Sequence, residues 1–162
     1  MIEALVWDAG GTLFDTYPAV VAAAQKALAA LGVGSGHYVR SSSSDGACGM
    51  CASSLATSPA RLMALFRERT RSALQTLAET YAIPYEVLRV HFERIYEAVG
   101  PECQPPFPYV RDICRWISTR GGLNLIVTHR GRASLESLLT AHELGQYFSD
   151  WITKEEPYPR KP

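Results

Sequence analysis

The sequence lacks an excess of charge of either sign. Its 162 residues include 16 Lys and Arg against 16 Asp and Glu, so the formal net charge at pH 7 is zero. Because attraction to phosphates supplies most of the non-specific affinity for nucleic acids, this balance argues against a nucleic acid or an anionic membrane as partner. A local basic site remains compatible with it.

Long hydrophobic runs are also missing. No apolar stretch approaches the roughly 18 residues that are needed to span a bilayer, and the N-terminus has neither the charged nor the apolar region of a signal peptide. The most apolar stretch, AVVAAAQKALAAL, is interrupted by Gln25 and Lys26. We therefore expect no membrane partner and a cytoplasmic location.

Cysteine is scarce, and the four that occur are Cys48, Cys51, Cys103 and Cys114. In a chain without a secretory signal, reduced thiols are expected rather than disulfides. CGMC has the spacing of a redox or zinc motif, but the sequence offers no second ligand pair at the distance typical of zinc fingers. A metal or redox module is therefore a minor alternative, which metal analysis would test.

Hydrophobic residues make up 47% of the sequence and charged residues 20%, as in ordinary soluble globular proteins. The first predicted element is IEALVW at residues 2–7, which ends at Asp8 and is followed by Gly10 and Gly11. This pattern is typical of a buried strand in the middle of a parallel sheet. An alanine-rich helix follows and stops at Gly32.

The middle of the chain is predicted to be helical. Residues 33–57 are rich in Gly and Ser without an apolar period, so we expect a long loop there. Helical periodicity begins at Ser58 and Pro59 and continues to about Val99, with a break at Pro84.

After a Pro-rich joint the pattern alternates between helices and strands. We predict a helix at 109–119, a strand at 123–128, a helix at 134–144 and a short strand at 150–154. Such alternation favours a parallel sheet with right-handed crossovers. We therefore expect an α/β core at residues 1–15 and 103–162, interrupted by a helical insertion at residues 16–102.

Three polar side chains follow the predicted strands. Asp8 follows the first strand, Thr128 the second, and Lys161 lies beyond the third. In an open α/β sheet, ligands bind in the crevice outside the carboxyl ends of the strands. We therefore expect a carboxylate, a hydroxyl and an ammonium group to converge there.

VWDAGGTLFDT, LIVTHR and PRKP resemble the first three motifs of the haloacid dehalogenase superfamily, in that order. One such motif would be weak evidence, but three in order are specific. The resemblance, which is to the phosphoglycolate-phosphatase-like branch, implies a Rossmann-like parallel sheet and an inserted all-helical cap. It also implies a magnesium-dependent phosphatase of small phosphorylated metabolites.

The resemblance implies a role for each motif residue. Asp8 would attack phosphorus and carry it as an aspartyl phosphate, and Lys161 would act with it by offsetting negative charge. Thr128 would donate its hydroxyl to the phosphate. Mg²⁺ would be held by Asp8 and by the backbone carbonyl of Gly10.

Further phosphate contacts are implied in the loops that follow the first two strands. The backbone N–H groups of Ala9, Gly10 and Gly11 would face the phosphate. Gly10 and Gly11 have no Cβ that would prevent the phosphate from approaching the backbone. His129 would line the same site.

The sequence departs from the family pattern at Gly10. Phosphatases of the superfamily carry there a second Asp, which acts as general acid and base and is worth roughly a hundred- to ten-thousand-fold in rate. We therefore expect slow turnover, a substrate with a good leaving group, or replacement of that acid by another group such as His129.

The second departure concerns a fourth, acidic motif of the family, which does not occur before Pro162. We expect weak magnesium binding and an incomplete sheet, with an uncovered apolar edge through which copies of the chain could self-associate.

Three hypotheses about the function therefore remain open. The phosphatase is favoured over a dehalogenase of the same fold and over a degenerate family member that acts by binding or has no independent function. Substrate specificity would come from the cap, where a solvated helix face explains the polar residues equally well. Those residues are Tyr17, Arg61, Arg67, Arg71 and His91.

Overall fold

A computed structural model describes residues 3–33 and 58–157. The chain divides into two compact units, one formed by Met1–Thr16 with Gly100–Pro162 and the other by Tyr17–Val99. The boundaries predicted from the sequence are 15/16 and 102/103. Most of the predicted Gly- and Ser-rich loop, the CGMC motif and Lys161 lie outside the described residues.

The second unit is helical in its described part. Its helices are α1 (Tyr17–Ala30), α2 (Pro59–Glu68), α3 (Thr70–Thr80) and α4 (Tyr85–Glu97). The chain leaves α1 through Gly32, whose φ of 82° is a conformation that side chains with a Cβ rarely adopt. Extended backbone at Arg69 separates α2 from α3.

Helix α1 packs against α2 and α4 around an apolar core. Alanines on the buried side of α1 allow close approach of the neighbouring helices, while aromatic rings fill the remaining space. Phe92 stacks between Phe66 and Tyr96, with ring centroids 5.6 and 5.7 Å apart.

The described residues of the first unit form a three-stranded parallel sheet. The elements of this unit are β1 (Ala4–Trp7), α5 (Val110–Ser118), β2 (Leu123–Val127), α6 (Arg132–Ala141) and β3 (Asp150–Ile152), with 3₁₀ turns at Pro101–Cys103 and Gly145–Tyr147. The strands pair in the order β1-β2-β3. The predicted α/β class is therefore confirmed.

The first strand has the composition of a buried central strand, but among the described residues it lies at an edge of the sheet, where the missing fourth motif led us to expect an uncovered apolar edge. β1 pairs with β2 alone and lies at the edge, and the side chain of Val6 is 59% exposed. Both crossovers advance across the sheet in one direction, so right-handed connections put α5 and α6 on the same face. Trp7 points toward that covered face, and Val6 points to the opposite one.

The covered face of the sheet carries the core of this unit. Ile126 in β2 is fully buried there, beneath apolar residues of both helices and of the loop after β1. The buried members are Ala9, Leu13, Phe14, Val110, Cys114, Ile126, Leu135, Leu138, Leu139, Leu144 and Phe148.

One polar side chain lies within this core. Asn124, the single asparagine of the sequence, is completely buried. Its Oδ1 accepts a hydrogen bond from the indole N–H of Trp7 at 3.0 Å. Its Nδ2 donates toward the carbonyls of Cys114 and Tyr147, at 2.9 and 3.1 Å, and the hydroxyl of Ser118. One amide thus joins β1, β2, α5 and the turn before β3.

Replacement of this amide tests its contribution to stability. Asn124→Leu leaves the part-buried Trp7 N–H without this acceptor and the carbonyls of Cys114 and Tyr147 without this donor, so we expect the free energy of unfolding to fall by about 2–3 kcal/mol, measured by urea denaturation. Gln146→Leu replaces an exposed amide as the control and should change stability by less than about 0.5 kcal/mol. Equal effects of the two substitutions would contradict the assignment.

Self-association through the edge of the sheet stays a prediction. Among the described residues the outer edge of β1 is unpaired, and its exposed Val6 carries no charge that would prevent strand addition. Val6→Lys should therefore reduce association in sedimentation experiments at increasing protein concentration. Val90→Lys, at a comparably exposed valine of α4, is the control. A monomeric wild-type chain at all concentrations would refute the prediction.

Candidate active site

Asp8 lies directly after β1, at the start of a tight loop. The carbonyl of Ala9 accepts hydrogen bonds from the N–H groups of Leu13 and Phe14, at 2.9 and 3.0 Å. The N–H of Gly11 donates back to the carbonyl of Phe14 at 2.9 Å, and its φ of 77° favours glycine at this position. These bonds fix the loop that follows the carboxylate.

The three predicted amide donors of this loop have different surroundings. Ala9 N–H donates to Oδ1 of Asp8 at 2.9 Å, and Gly11 N–H is used inside the loop. The Gly10 amide forms no hydrogen bond with any residue that the structure describes. Among these three amides, only the Gly10 N–H is available to donate a hydrogen bond to a ligand. The Gly11 N–H stabilises the turn instead, through its bond to the carbonyl of Phe14.

Thr128 directly follows β2. Trp7 is level with Ile126, and Val127 with Ile152, so Asp8, Thr128 and Thr153 leave the sheet at the same edge. Oγ1 of Thr128 accepts the N–H of Arg130 at 3.1 Å, which leaves the hydroxyl proton for another acceptor.

The residue after Thr128, His129, is exposed. Within the described ranges its backbone N–H has no hydrogen-bond acceptor. The edge of the sheet therefore offers this amide as well as that of Gly10.

Polar contacts of Arg130 hold this second loop, and the sequence did not indicate its partner Gln104. The Arg130 guanidinium donates to Oε1 of Gln104 at 2.6 Å and to Oγ of Ser134 at 2.8 Å. Gln104 is 2% exposed and lies where the chain returns to the sheet. The Pro-rich composition around Gln104 marked a joint, but nothing in the sequence indicated its partner.

Acidic residues after β3 form a second feature that sequence reasoning missed. Glu155 accepts the backbone N–H of Arg132 at 3.0 Å, and Glu156 accepts the backbone N–H of Thr153 and pairs with the Arg132 guanidinium. Hydrogen bonds from Thr153 and Arg132 lower the pKa of Glu156 to about 2. The hydrogen bond from the Thr153 hydroxyl lowers the pKa of Glu155 as well.

The predicted magnesium ligands supply a small oxygen set. No group of three or more His, Cys, Asp or Glu residues that could hold a metal ion occurs within residues 3–33 and 58–157. The Asp8 carboxylate and the Gly10 carbonyl belong to the same loop, two residues apart in the sequence, and Mg²⁺ accepts such oxygens together with substrate phosphate and water. The residues present fit a weakly held ion.

The two described cysteines differ in their exposure to solvent. Cys114 is buried in the core, and desolvation raises the pKa of its thiol to about 11, so it stays protonated at neutral pH. Cys103 is exposed. A role for Cys48 and Cys51 stays an untested alternative.

The residues expected to contribute specificity lie in the helical unit. The Arg67 guanidinium lies over the Tyr17 ring, 5.7 Å from its centroid. Arg61 and Arg71 are exposed, and His91 is half-buried. These positions agree with a solvated helix surface as well as with a ligand contact.

Among the described helices, none has both the length and the apolar character that crossing a bilayer requires.

The sequence matches the family model of a haloacid dehalogenase-like hydrolase over residues 2–162. The chain belongs to the haloacid dehalogenase-like hydrolases. This confirms the family that the three sequence motifs indicated. A search of curated proteins gave no match.

Solved structures of haloacid dehalogenase-like and phosphatase-type proteins have a similar fold. A hydrolase from Streptococcus pneumoniae TIGR4 is 25% identical, with a TM-score of 0.59 over 99% of this chain and 71% of its own. A candidate β-phosphoglucomutase from Thermotoga maritima is 19% identical, with a TM-score of 0.62 over 99% and 65%. A predicted phosphoglycolate phosphatase from Haemophilus somnus 129pt is 14% identical, with a TM-score of 0.65 over 97% and 65%.

The coverage of these structures is unequal. The chain aligns over nearly its whole length but spans only 65 to 71% of the length of the three solved proteins. Haloacid dehalogenase-like architecture is thus shared over the part that is present here.

The lowered pKa of Glu156 predicts acid sensitivity of the hydrolase. Its pKa is about 2 in the folded chain and ordinarily 4.5, so its contribution to stability is complete above pH 4.5 and is lost as the pH falls toward 2. The difference in unfolding free energy between the wild type and Glu156→Gln should therefore shrink on acidification, as measured by urea denaturation. Glu136→Gln, which removes a weaker pair with Arg132, should show a smaller pH dependence. A difference independent of pH would contradict the prediction.

Proposed function

We propose that the chain is a haloacid dehalogenase-like phosphatase of small phosphorylated metabolites, with Asp8 as nucleophile. The observation that carries the proposal is the common edge at which Asp8 and Thr128 leave adjacent parallel strands. The amides of Gly10 and His129 at this edge make no hydrogen bonds with described residues. A carboxylate beside several hydrogen-bond donors suits attack on a phosphate monoester.

The reaction would proceed in two displacements. A carboxylate oxygen of Asp8 forms a bond to phosphorus while the ester oxygen leaves with the bonding electron pair. Water then attacks the aspartyl phosphate, which releases orthophosphate and restores the carboxylate. The Gly10 N–H, the Thr128 hydroxyl and the His129 N–H donate to the phosphate oxygens, where charge develops.

Protonation of the leaving group is the step for which the loop after β1 supplies no acidic side chain at position 10. Gly10 has no side chain that could give a proton, so a leaving group of low basicity or the imidazole of His129 must serve. Bound at the Asp8 carboxylate and the Gly10 carbonyl, Mg²⁺ would neutralise charge on the phosphate. Lys161, outside the described residues, is proposed to do the same.

Replacement of the nucleophile tests the proposal. Asp8→Asn should reduce hydrolysis of p-nitrophenyl phosphate in the presence of Mg²⁺ by about a thousandfold or more, because an amide does not attack phosphorus. Asp112→Asn, at an exposed carboxylate of α5, should leave the rate unchanged. Full activity of the Asp8→Asn variant would contradict the proposal.

A general acid can be restored at position 10. A Cβ built on Gly10 meets Thr16 Oγ1 at 3.5 Å, an ordinary contact, and the φ of Gly10 is not positive. Gly10→Asp should therefore fold and raise turnover of a poor leaving-group ester by about a hundredfold. Gly10→Asn has the same shape without an acidic proton and should not. Equal rates of the two variants would refute a missing-acid explanation.

A family member that acts by binding alone is the second proposal. Gly10 in place of the acid and the small metal-ligand set of the described residues favour it. Turnover by the wild type above that of Asp8→Asn, with Mg²⁺ present, would exclude it. The substrate, the relation to the phosphoglycolate phosphatase of Haemophilus somnus and a cytoplasmic location are likewise proposals.

A further inference from the structure

We infer that Glu155 and Glu156, together with Arg132, are positioning residues for the phosphate site. They join the segment after β3 to the loop that carries Thr128, and we name these three residues the carboxylate latch. The inference rests on the proposed phosphatase function, because it concerns the same edge of the sheet.

Glu155 connects the end of β3 to the start of α6. Its Oε2 accepts the backbone N–H of Arg132 at 3.0 Å and the hydroxyl of Thr153 at 2.6 Å. The first N–H groups of a helix have no partner inside it, and a carboxylate is stabilised there by the helix dipole. Gly131, the N-cap of α6, has no side chain for this purpose, and Glu155 supplies the acceptor from a distant part of the sequence.

Glu156 makes the second connection. Its carboxylate accepts the backbone N–H of Thr153, shares the single hydroxyl proton of Thr153 with Glu155, and forms an ion pair with the Arg132 guanidinium. The Glu156 side chain is only 22% exposed, so this pair is partly shielded from water and salt. Thr153 itself is 4% exposed.

A backbone bond completes the link between the two loops. Lys154 N–H donates to the carbonyl of Arg130 at 3.2 Å, and Arg130 N–H in turn donates to the hydroxyl of Thr128. The segment after β3 that the latch holds is therefore connected to Thr128 through Arg130. A shift of about 1 Å in a catalytic group costs roughly a hundredfold in rate, so even a small release of this loop should be measurable.

Substitutions that change charge can distinguish a positioning role of the latch from a direct electrostatic effect on phosphate binding. Two carboxylates near a phosphate site would repel a dianion, but Arg132 and the start of α6 offset their charge. If charge alone mattered, Glu156→Gln would improve phosphate binding and Arg132→Gln would weaken it. If the latch positions the loop, both substitutions weaken binding.

The experiment compares KM for p-nitrophenyl phosphate and the inhibition constant of orthophosphate in the full chain. Glu156→Gln and Arg132→Gln should each raise both constants about tenfold. Glu136→Gln removes the other acidic partner of Arg132, at 3.6 Å, without touching the segment after β3 and should stay within about twofold. If one of these variants fails to fold, Glu155→Gln repeats the test, since it leaves the ion pair between Arg132 and Glu156 intact.

Each outcome decides the inference. Tighter orthophosphate binding by Glu156→Gln, or latch variants equal to Glu136→Gln in an active enzyme, would overturn the latch and leave the phosphatase proposal intact. A wild type that binds orthophosphate without hydrolysis would end the phosphatase proposal, and calorimetry of the same variants would still test the latch. A wild type that neither hydrolyses nor binds phosphate would overturn both.

Discussion

The buried amide of Asn124 holds the α/β unit together. A polar group without partners in this core would cost about 1–3 kcal/mol, so the surrounding elements must keep their donors and acceptors in position. Trp7 brings β1 to it, and Cys114 and Tyr147 bring the helix α5 and the turn before β3. Apolar contacts tolerate sliding, whereas these directional bonds select one register of the three strands.

That register determines what the edge of the sheet can bind. With Trp7 beside Ile126 and Val127 beside Ile152, the residues that follow each strand lie next to one another. Tight hydrogen bonding within each loop then separates the amides that are used internally from those that remain available. The chemistry of the site thus follows from strand alignment first and from loop geometry second.

Much of this arrangement could be predicted from the sequence because it depends on local patterns. Short apolar runs ending at Asp8 and Thr128, alternating with amphipathic helices, were sufficient to predict a parallel sheet and its binding edge. The absence of the fourth motif also predicted an uncovered apolar edge of the sheet, and β1 lies at an edge among the described residues. Neither Asn124 nor Glu156 was recognised, because their partners Trp7 and Arg132 lie far away along the chain.

The distance along the chain between Trp7 and Asn124, 117 positions, has a kinetic consequence. The helices α1 to α4 pack around an apolar core of their own, which can form while β1 is still unpaired. Once this core has formed, its helices no longer behave as a flexible chain, and the entropy lost on joining β1 to β2 is smaller than the separation of 117 positions suggests. The order of folding would then run from the interrupting helices to the interrupted sheet, with the indole of Trp7 among the last groups to find its acceptor.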